Sequence, residues 1–362
     1  MPAFLASFPR FLPLCLAALA IAATAQSPSS RPAPTPAPIP VKVVIVAMFE
    51  PGQDTGDAPG ELQYWVERDH LDHIYDLPAA YHAARMNDSG ELAIVTGQGT
   101  AHAAATMMAL GLDPRFDLSH AYWIIAGIAG ATPERASLGS AIWANWIVDG
   151  DLGYEIDARE LPPDWSTGFL PLRKKTPYEQ PVEPLEGQVF ETNHALTQWA
   201  FNLTKAVPLD DSPKLAEIRS HFDGAHASHP PEVLLGDEVS SSTFWHGKLM
   251  SQWASQWLTY FTQGQGTYTT TAMEDTGSLL SLHYLALAGK ADPNRILVLR
   301  TVSNYDQQPR GLTAAESLTA QRISKYAAYL PSLEAAYRVA HTVAAEIETN
   351  WPKYRDQIPA AQ

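Results

Sequence analysis

The 362-residue sequence contains a single cysteine, Cys15. One thiol excludes a disulfide framework and a thiolate metal cluster. Because Cys15 lies in an N-terminal apolar run, catalysis by a thiol of a processed chain is excluded as well. Bases are also scarce: Lys and Arg number 24 against 39 Asp and Glu, a formal net charge of -15. A surface that tracks nucleic-acid phosphates needs the opposite sign, so no nucleic-acid partner is expected. No G-x-x-x-x-G-K-[ST] or G-x-S-x-G string occurs. Phosphate-loop ATPases and lipase-type nucleophile elbows therefore have no support. Beyond the N-terminus, no apolar run reaches the roughly 20 residues that cross hydrocarbon, so no stable membrane insertion is expected after leader removal. His70 with His73, and His221 with His226 and His229, have spacings open to a metal. No carboxylate-histidine signature surrounds them, so they read as surface or capping residues, and neither metal nor cofactor is expected.

What is present is 46% hydrophobic residues with only 17% charged, a composition for a packed globular body. Arg10 precedes the apolar run from Phe11 to Ala23, and Ala23-Thr24-Ala25 offers the small residues of a signal-peptidase site. Residues 1–25 read as a signal peptide, which implies a periplasmic or secreted protein. Residues 26–40 alternate proline with small residues and read as an extended linker. The remaining body, 41–350, reads as one α/β domain. β-branched runs at 41–49, 91–97, 121–127, 140–148, 266–273 and 295–303 predict strands. Helical apolar spacing covers 100–112, 242–261, 274–289 and 312–350, the last interrupted at Pro331. Residues 150–190 are rich in Pro, Asp and Glu without a period, and read as an irregular excursion.

Three segments place polar residues where an α/β sheet forms its ligand crevice, at the carboxyl ends of strands. They are "IIAGIAG" (124–130), "LLGDEVSSSTFWHG" (234–247) with "TTTAMEDTG" (269–277), and "VLRTVSNYD" (298–306). In this order they resemble the nucleoside phosphorylase and nucleosidase superfamily, and the forms "AGIAG", "FWHG" and "AMEDTG" resemble its purine nucleoside permease, or nucleoside uptake, branch. The resemblance implies a single-domain, mixed-sheet, three-layer nucleoside phosphorylase-like α/β fold. It also implies a purine nucleoside ligand and a homo-oligomer paired beside the site. Any transport role would then run through a separate membrane transporter.

The same resemblance assigns roles. Glu274 would accept hydrogen bonds from two ribose hydroxyls, a charge-assisted arrangement; the alternative is a helix N-terminal acid serving the macrodipole. Met273 would pack on sugar or base, and Gly127, at the glycine-rich strand end, would be a further substrate-binding residue. Phe244 and Trp245 would face the purine, with core packing as the alternative. Cleaving the glycosidic bond leaves negative charge on the base, which must be protonated or hydrogen-bonded. The superfamily commonly uses Asp there, whereas this sequence has Asn304, with Asp306 two residues on. An amide donates a hydrogen bond but delivers no proton, so either Asp306 substitutes as the catalytic acid, the base is recognised as a 6-oxopurine, or turnover is slow or absent. Ile125 and Ile128 stand where phosphorylases hold phosphate with Arg and Ser, so water is the expected nucleophile and phosphorolysis the less supported outcome. Glu50, at the end of the first strand, is the candidate water-activating base, with loop capping as its alternative. Arg300 resembles a residue that braces the strand end. The expected activity is N-glycosidic hydrolysis; the alternative is non-catalytic nucleoside binding for uptake.

Overall fold

The computed structural model describes residues 36–324 and 328–360. The expected signal peptide lies outside the described residues, as does most of the linker. From Pro38 onward the chain forms one compact unit. It enters the fold slightly before Val41: Ile39 and Pro40 already pair with Phe116 and Asp117.

Seven strands carry the architecture: β1 (Val43–Ala47), β2 (Glu91–Val95), β3 (Tyr122–Ala131), β4 (Ala141–Asp149), β5 (Val233–Ser240), β6 (Tyr268–Ala272) and β7 (Ile296–Tyr305). Six match the predicted runs. The seventh, β5, was legible only as a motif, because Gly236, Asp237 and Glu238 break its apolar pattern. Six principal helices accompany them: α1 (Gln63–Arg68), α2 (Thr100–Gly111), α3 (His194–Thr204), α4 (Lys248–Phe261), α5 (Asp275–Leu287) and α6 (Tyr329–Thr349).

Strand β1 shows why the molecule is layered. Its five residues are all buried, and with a period of two they alternate between cores. Val43, Ile45 and Ala47 join side chains from α1, α3 and α6. Val44 and Val46 join side chains from α2 and α5. The mixed-sheet, three-layer α/β arrangement expected from the sequence is therefore present. The pairing adds a feature the sequence did not disclose. β7 pairs in parallel with β3 and antiparallel with β4. β4 continues to β5, β5 to β6, and β6 back to β3. These five strands form a closed circuit, from which β1 and β2 extend through β3.

The segment 150–190 is mostly irregular, but Phe169–Pro171 pairs antiparallel with Gly153–Glu155. Helix α4 begins at Lys248, six residues after the predicted start at 242. Asp151 accepts hydrogen bonds from Ser241 Oγ at 2.7 Å and Ser242 N at 2.6 Å, and these hold the preceding stretch as a loop. Pro331 does not break a helix, for it lies in the first turn of α6, where its missing N–H costs nothing.

Candidate functional site

A cavity of about 270 Å³ opens over the carboxyl ends of β3, β6 and β7. Four of the eight residues predicted for the site line it: Phe244, Met273, Glu274 and Asn304. Glu61, Arg300, Ile128 and Ser303 join them.

Glu274 precedes α5 but makes no side-chain cap to its own helix. Its carboxylate instead accepts from Gly99 N at 3.1 Å, Met273 N at 3.2 Å and Arg300 Nη2 at 3.3 Å. The Gly97-Gln98-Gly99 turn thus orients an acid rather than cradling a phosphate. Gly97 and Gly99 have φ of 82° and 90°, a region open mainly to glycine. Burial raises the Glu274 pKa, partly offset by Arg300.

Glu61 is the functional candidate that the sequence reading missed. It is buried, and its oxygens accept from Met48 N and Ile128 N, both at 2.7 Å. Burial pushes its pKa up to about 7; Arg300 and the Ile128 amide pull it down, and Glu274 adds a further upward push. Glu61 comes from the loop after β1, rich in Gly, Pro and Asp, with no local pattern to mark it. What identifies it is a contact with a backbone amide 67 residues away.

Arg300 binds this acidic group together. Nε donates to Asp275 Oδ1 at 3.2 Å, Nη1 to Ile128 O at 3.1 Å, and Nη2 to both Asp275 and Glu274. Glu238 Oε2 lies 3.7 Å from Nε. Burial alone would lower the Arg300 pKa, but Asp275, Glu238, Glu274 and Glu61 outweigh it and raise the value. Its bracing role matches the sequence expectation. A guanidinium so committed has little donor capacity left for a phosphate ligand.

The glycines of "AGIAG" are spatial requirements. A Cβ on Gly127 would lie 2.6 Å from Glu61 Oε1 and 2.8 Å from Arg300 Nη1, and one on Gly130 would lie 3.2 Å from Asn304 Nδ2. Gly127 therefore makes room for Glu61 and Arg300 and does not itself line the cavity. Asn304 follows a bulge: Val302 pairs with Ala129 and Asn304 with Gly130, leaving Ser303 as the extra residue. Asn304 Nδ2 donates to Tyr305 O at 3.1 Å, and Oδ1 accepts from Ser303 Oγ at 3.0 Å.

Three further predicted residues lie outside this cavity. Glu50 does not line the cavity. Its carboxylate accepts the amides of Gly60, Leu62 and Gln63 at 2.5, 2.8 and 2.8 Å, capping the loop and the start of α1. Asp306 is buried beyond the end of β7, accepting from Tyr268 OH at 2.7 Å, and burial lifts its pKa to about 6. It does not line the cavity either. Trp245 is only 8% exposed and packs with Trp253 and Tyr268, whereas its neighbour Phe244 is 45% exposed and lines the cavity. Of these adjacent residues, only Phe244 lines this cavity.

Among the described residues, His226, His229 and Glu232 bring possible ligand atoms within 4.8 Å of one another, and none of them lines the cavity. No described helix is long and apolar enough to cross a membrane.

Solved structures with a similar outline include a 5'-methylthioadenosine/S-adenosylhomocysteine nucleosidase from Neisseria meningitidis, with 14% identity and a TM-score of 0.48 over 85% of this chain and 99% of that one. Another is the futalosine hydrolase of Helicobacter pylori, with 13% identity and a TM-score of 0.49 over 84% and 98%. Likenesses this distant assign no role to any residue. Relatives in sequence are closer. A probable purine nucleoside permease of Schizosaccharomyces pombe is 32% identical over 234 residues, 62% of this chain and 67% of the relative. The purine nucleoside permease of Candida albicans is 29% identical over 264 residues, 72% of this chain and 64% of the relative. The matched region thus spans about two thirds of those proteins' length. The purine nucleoside permease (NUP) family model matches residues 40–359, and the chain belongs to that family.

Proposed function

We propose that the cavity binds a purine nucleoside and that the protein hydrolyses its N-glycosidic bond. The observation that carries this reading is a pair of buried carboxylates, Glu61 and Glu274, lining one cavity in which the arginine is already spent on acids. Glu274 grips the ribose hydroxyls. Glu61, with a pKa near neutrality, takes a proton from water as the oxygen attacks the anomeric carbon. The carbon–nitrogen bond breaks with its electron pair passing to the purine. Asn304 donates a hydrogen bond to the departing base, whose proton comes from solvent. Phe244 covers the base face. The leader-like N-terminus supports export, with the reaction taking place in a periplasmic or extracellular space.

Asn304 favours a second reading, capture without cleavage, because an amide supplies no proton to the leaving group. One assay separates the two. Purified protein is incubated with inosine, adenosine and guanosine, with and without phosphate, and free base is followed by chromatography. Base release without phosphate is the expected result. Release only with phosphate overturns the water assignment, and saturable binding with no release leaves capture.

A further inference from the structure

The segment 221–232 contributes nothing to the nucleoside cavity, yet it carries three metal-ligating side chains at a spacing of three: His226, His229 and Glu232. Read as sequence, the histidines stand out and the carboxylate does not, because Pro230 and Pro231 separate it from them. Folding gathers their possible ligand atoms within 4.8 Å of one another. The two imidazole rings are 4.8 Å apart between centroids. His229 Nδ1 lies 3.8 Å from Glu232 Oε1, too far for a direct hydrogen bond. Two ligands of one tetrahedral zinc stand about 3.4 Å apart, given bonds of about 2.0–2.1 Å. The pair is therefore spaced for a shared ion, and rotation of the exposed His229 and Glu232 side chains closes what remains.

His226 is already oriented for this role. Its Nδ1 lies 3.0 Å from the carbonyl oxygen of Glu134. A carbonyl only accepts, so Nδ1 carries the proton and the neutral ring keeps its lone pair on Nε2. Histidines that bind metals are held in the same way, the nitrogen that does not ligate donating to a carbonyl or carboxylate. The backbone of the segment is tied down as well. His226 N donates to Pro133 O, His229 N to His226 O and Glu232 N to Ser140 Oγ, each at 3.1 Å. Ser137 Oγ donates to His229 O at 2.6 Å, and Pro230 and Pro231 fix φ between the last two ligands. Little backbone freedom is left to lose when an ion binds.

We propose that His226, His229 and Glu232 form a zinc site, separate from the nucleoside cavity. Two imidazoles and one carboxylate are a donor set for Zn²⁺, whereas Mg²⁺ and Ca²⁺ take oxygen ligands. Three protein ligands leave a fourth tetrahedral position for water. The ion fastens the approach to β5, at Glu232, to the turn at His226, which the Glu134 carbonyl in turn joins to the loop after β3.

Zinc chloride is the probe, titrated by calorimetry into the full-length protein after EDTA treatment and without a histidine tag. The expected result is one zinc per chain with Kd of about 10 µM or below, and magnesium at least about a hundredfold weaker. His229→Ala and Glu232→Gln change exposed side chains and should each weaken zinc at least about tenfold with unchanged circular dichroism. His73→Ala, at a histidine outside the cluster, should leave zinc affinity as it is. The absence of saturation up to about 100 µM zinc overturns the proposal. So does full retention of zinc affinity in both His229→Ala and Glu232→Gln, because it places the ion elsewhere on the chain. Magnesium that binds as tightly as zinc also overturns it, since a site of that kind owes nothing to the imidazoles.

Discussion

Glu61 holds its proton at a pH where an ordinary carboxyl has lost it. With its pKa raised to about 7, the base form grows as pH rises through neutrality. Hydrolysis should therefore climb along an acid limb centred near 7, read from kcat/KM against pH. Glu61→Gln should lower kcat/KM by roughly 10²–10⁴-fold and flatten that limb; a variant that keeps the wild-type profile removes Glu61 as base. Glu274→Ala should weaken nucleosides far more than free purines, since the lost contacts are to sugar; calorimetry with inosine and hypoxanthine checks this, and equal losses refute the ribose assignment. At this scale the sequence was informative where cavity-lining residues sit in a short motif at a strand end, as for Met273, Glu274 and Asn304. It was silent where a lining residue is placed by long-range contact. Glu50 stood at the expected strand end, but its carboxylate is consumed by three amides of its own loop, and Glu61, 11 positions on, reaches the cavity.

At the scale of elements, the site depends on how closely α2 and α5 approach. A Cβ on Gly277 would lie 2.1 Å from Thr100 O, and one on Gly111 would lie 2.2 Å from Leu285 Cδ1. Glycine is needed at 277 for this packing, because backbone lies opposite. Gly277→Ala should push the start of α5 from the start of α2, stretching the Gly99–Glu274 hydrogen bond. The expected cost is about 1–3 kcal/mol in urea unfolding, together with weaker inosine binding; unchanged values for both would show that the helices are free to separate. Strand and helix identities were largely legible from apolar periodicity. The offsets were not. Asp237 accepts amides from Asn145, Trp146 and Thr267, holding an irregularity in β5. The extra residue Ser303 does the same in β7. Such bulges re-aim Glu238 and Asn304, and a period of two in the sequence does not announce them.

For the whole molecule, the buried acids fix how stability follows pH. Burial raises Glu61 to about 7 and Asp306 to about 6, and lifts Glu238 and Glu91 well above the ordinary carboxyl value. The folded state then retains protons that the unfolded chain releases above about pH 4.5, so stability falls as pH rises through 5 to 7. Asp113, Asp211 and Glu334 are lowered by arginine partners, and their contribution disappears only below the ordinary carboxylate range. Thermal unfolding should therefore occur at its highest temperature near about pH 5 and decline toward pH 8; a melting temperature that rises over that interval contradicts the proton accounting. Layering and the cavity-bearing ends of the sheet were visible in the sequence, because both follow from the order of apolar runs. The return of β7 to β4 was not, since one long buried run reads the same whether it has one neighbour or two.

That return has a mechanical consequence. In a ring of five strands, each bonded to its two neighbours, the walls part only by breaking a ladder, the shortest being the two residue pairs between β6 and β3. Any opening of the cavity is therefore expected at lining residues that lie outside the strands, among them Gln98 and Phe244.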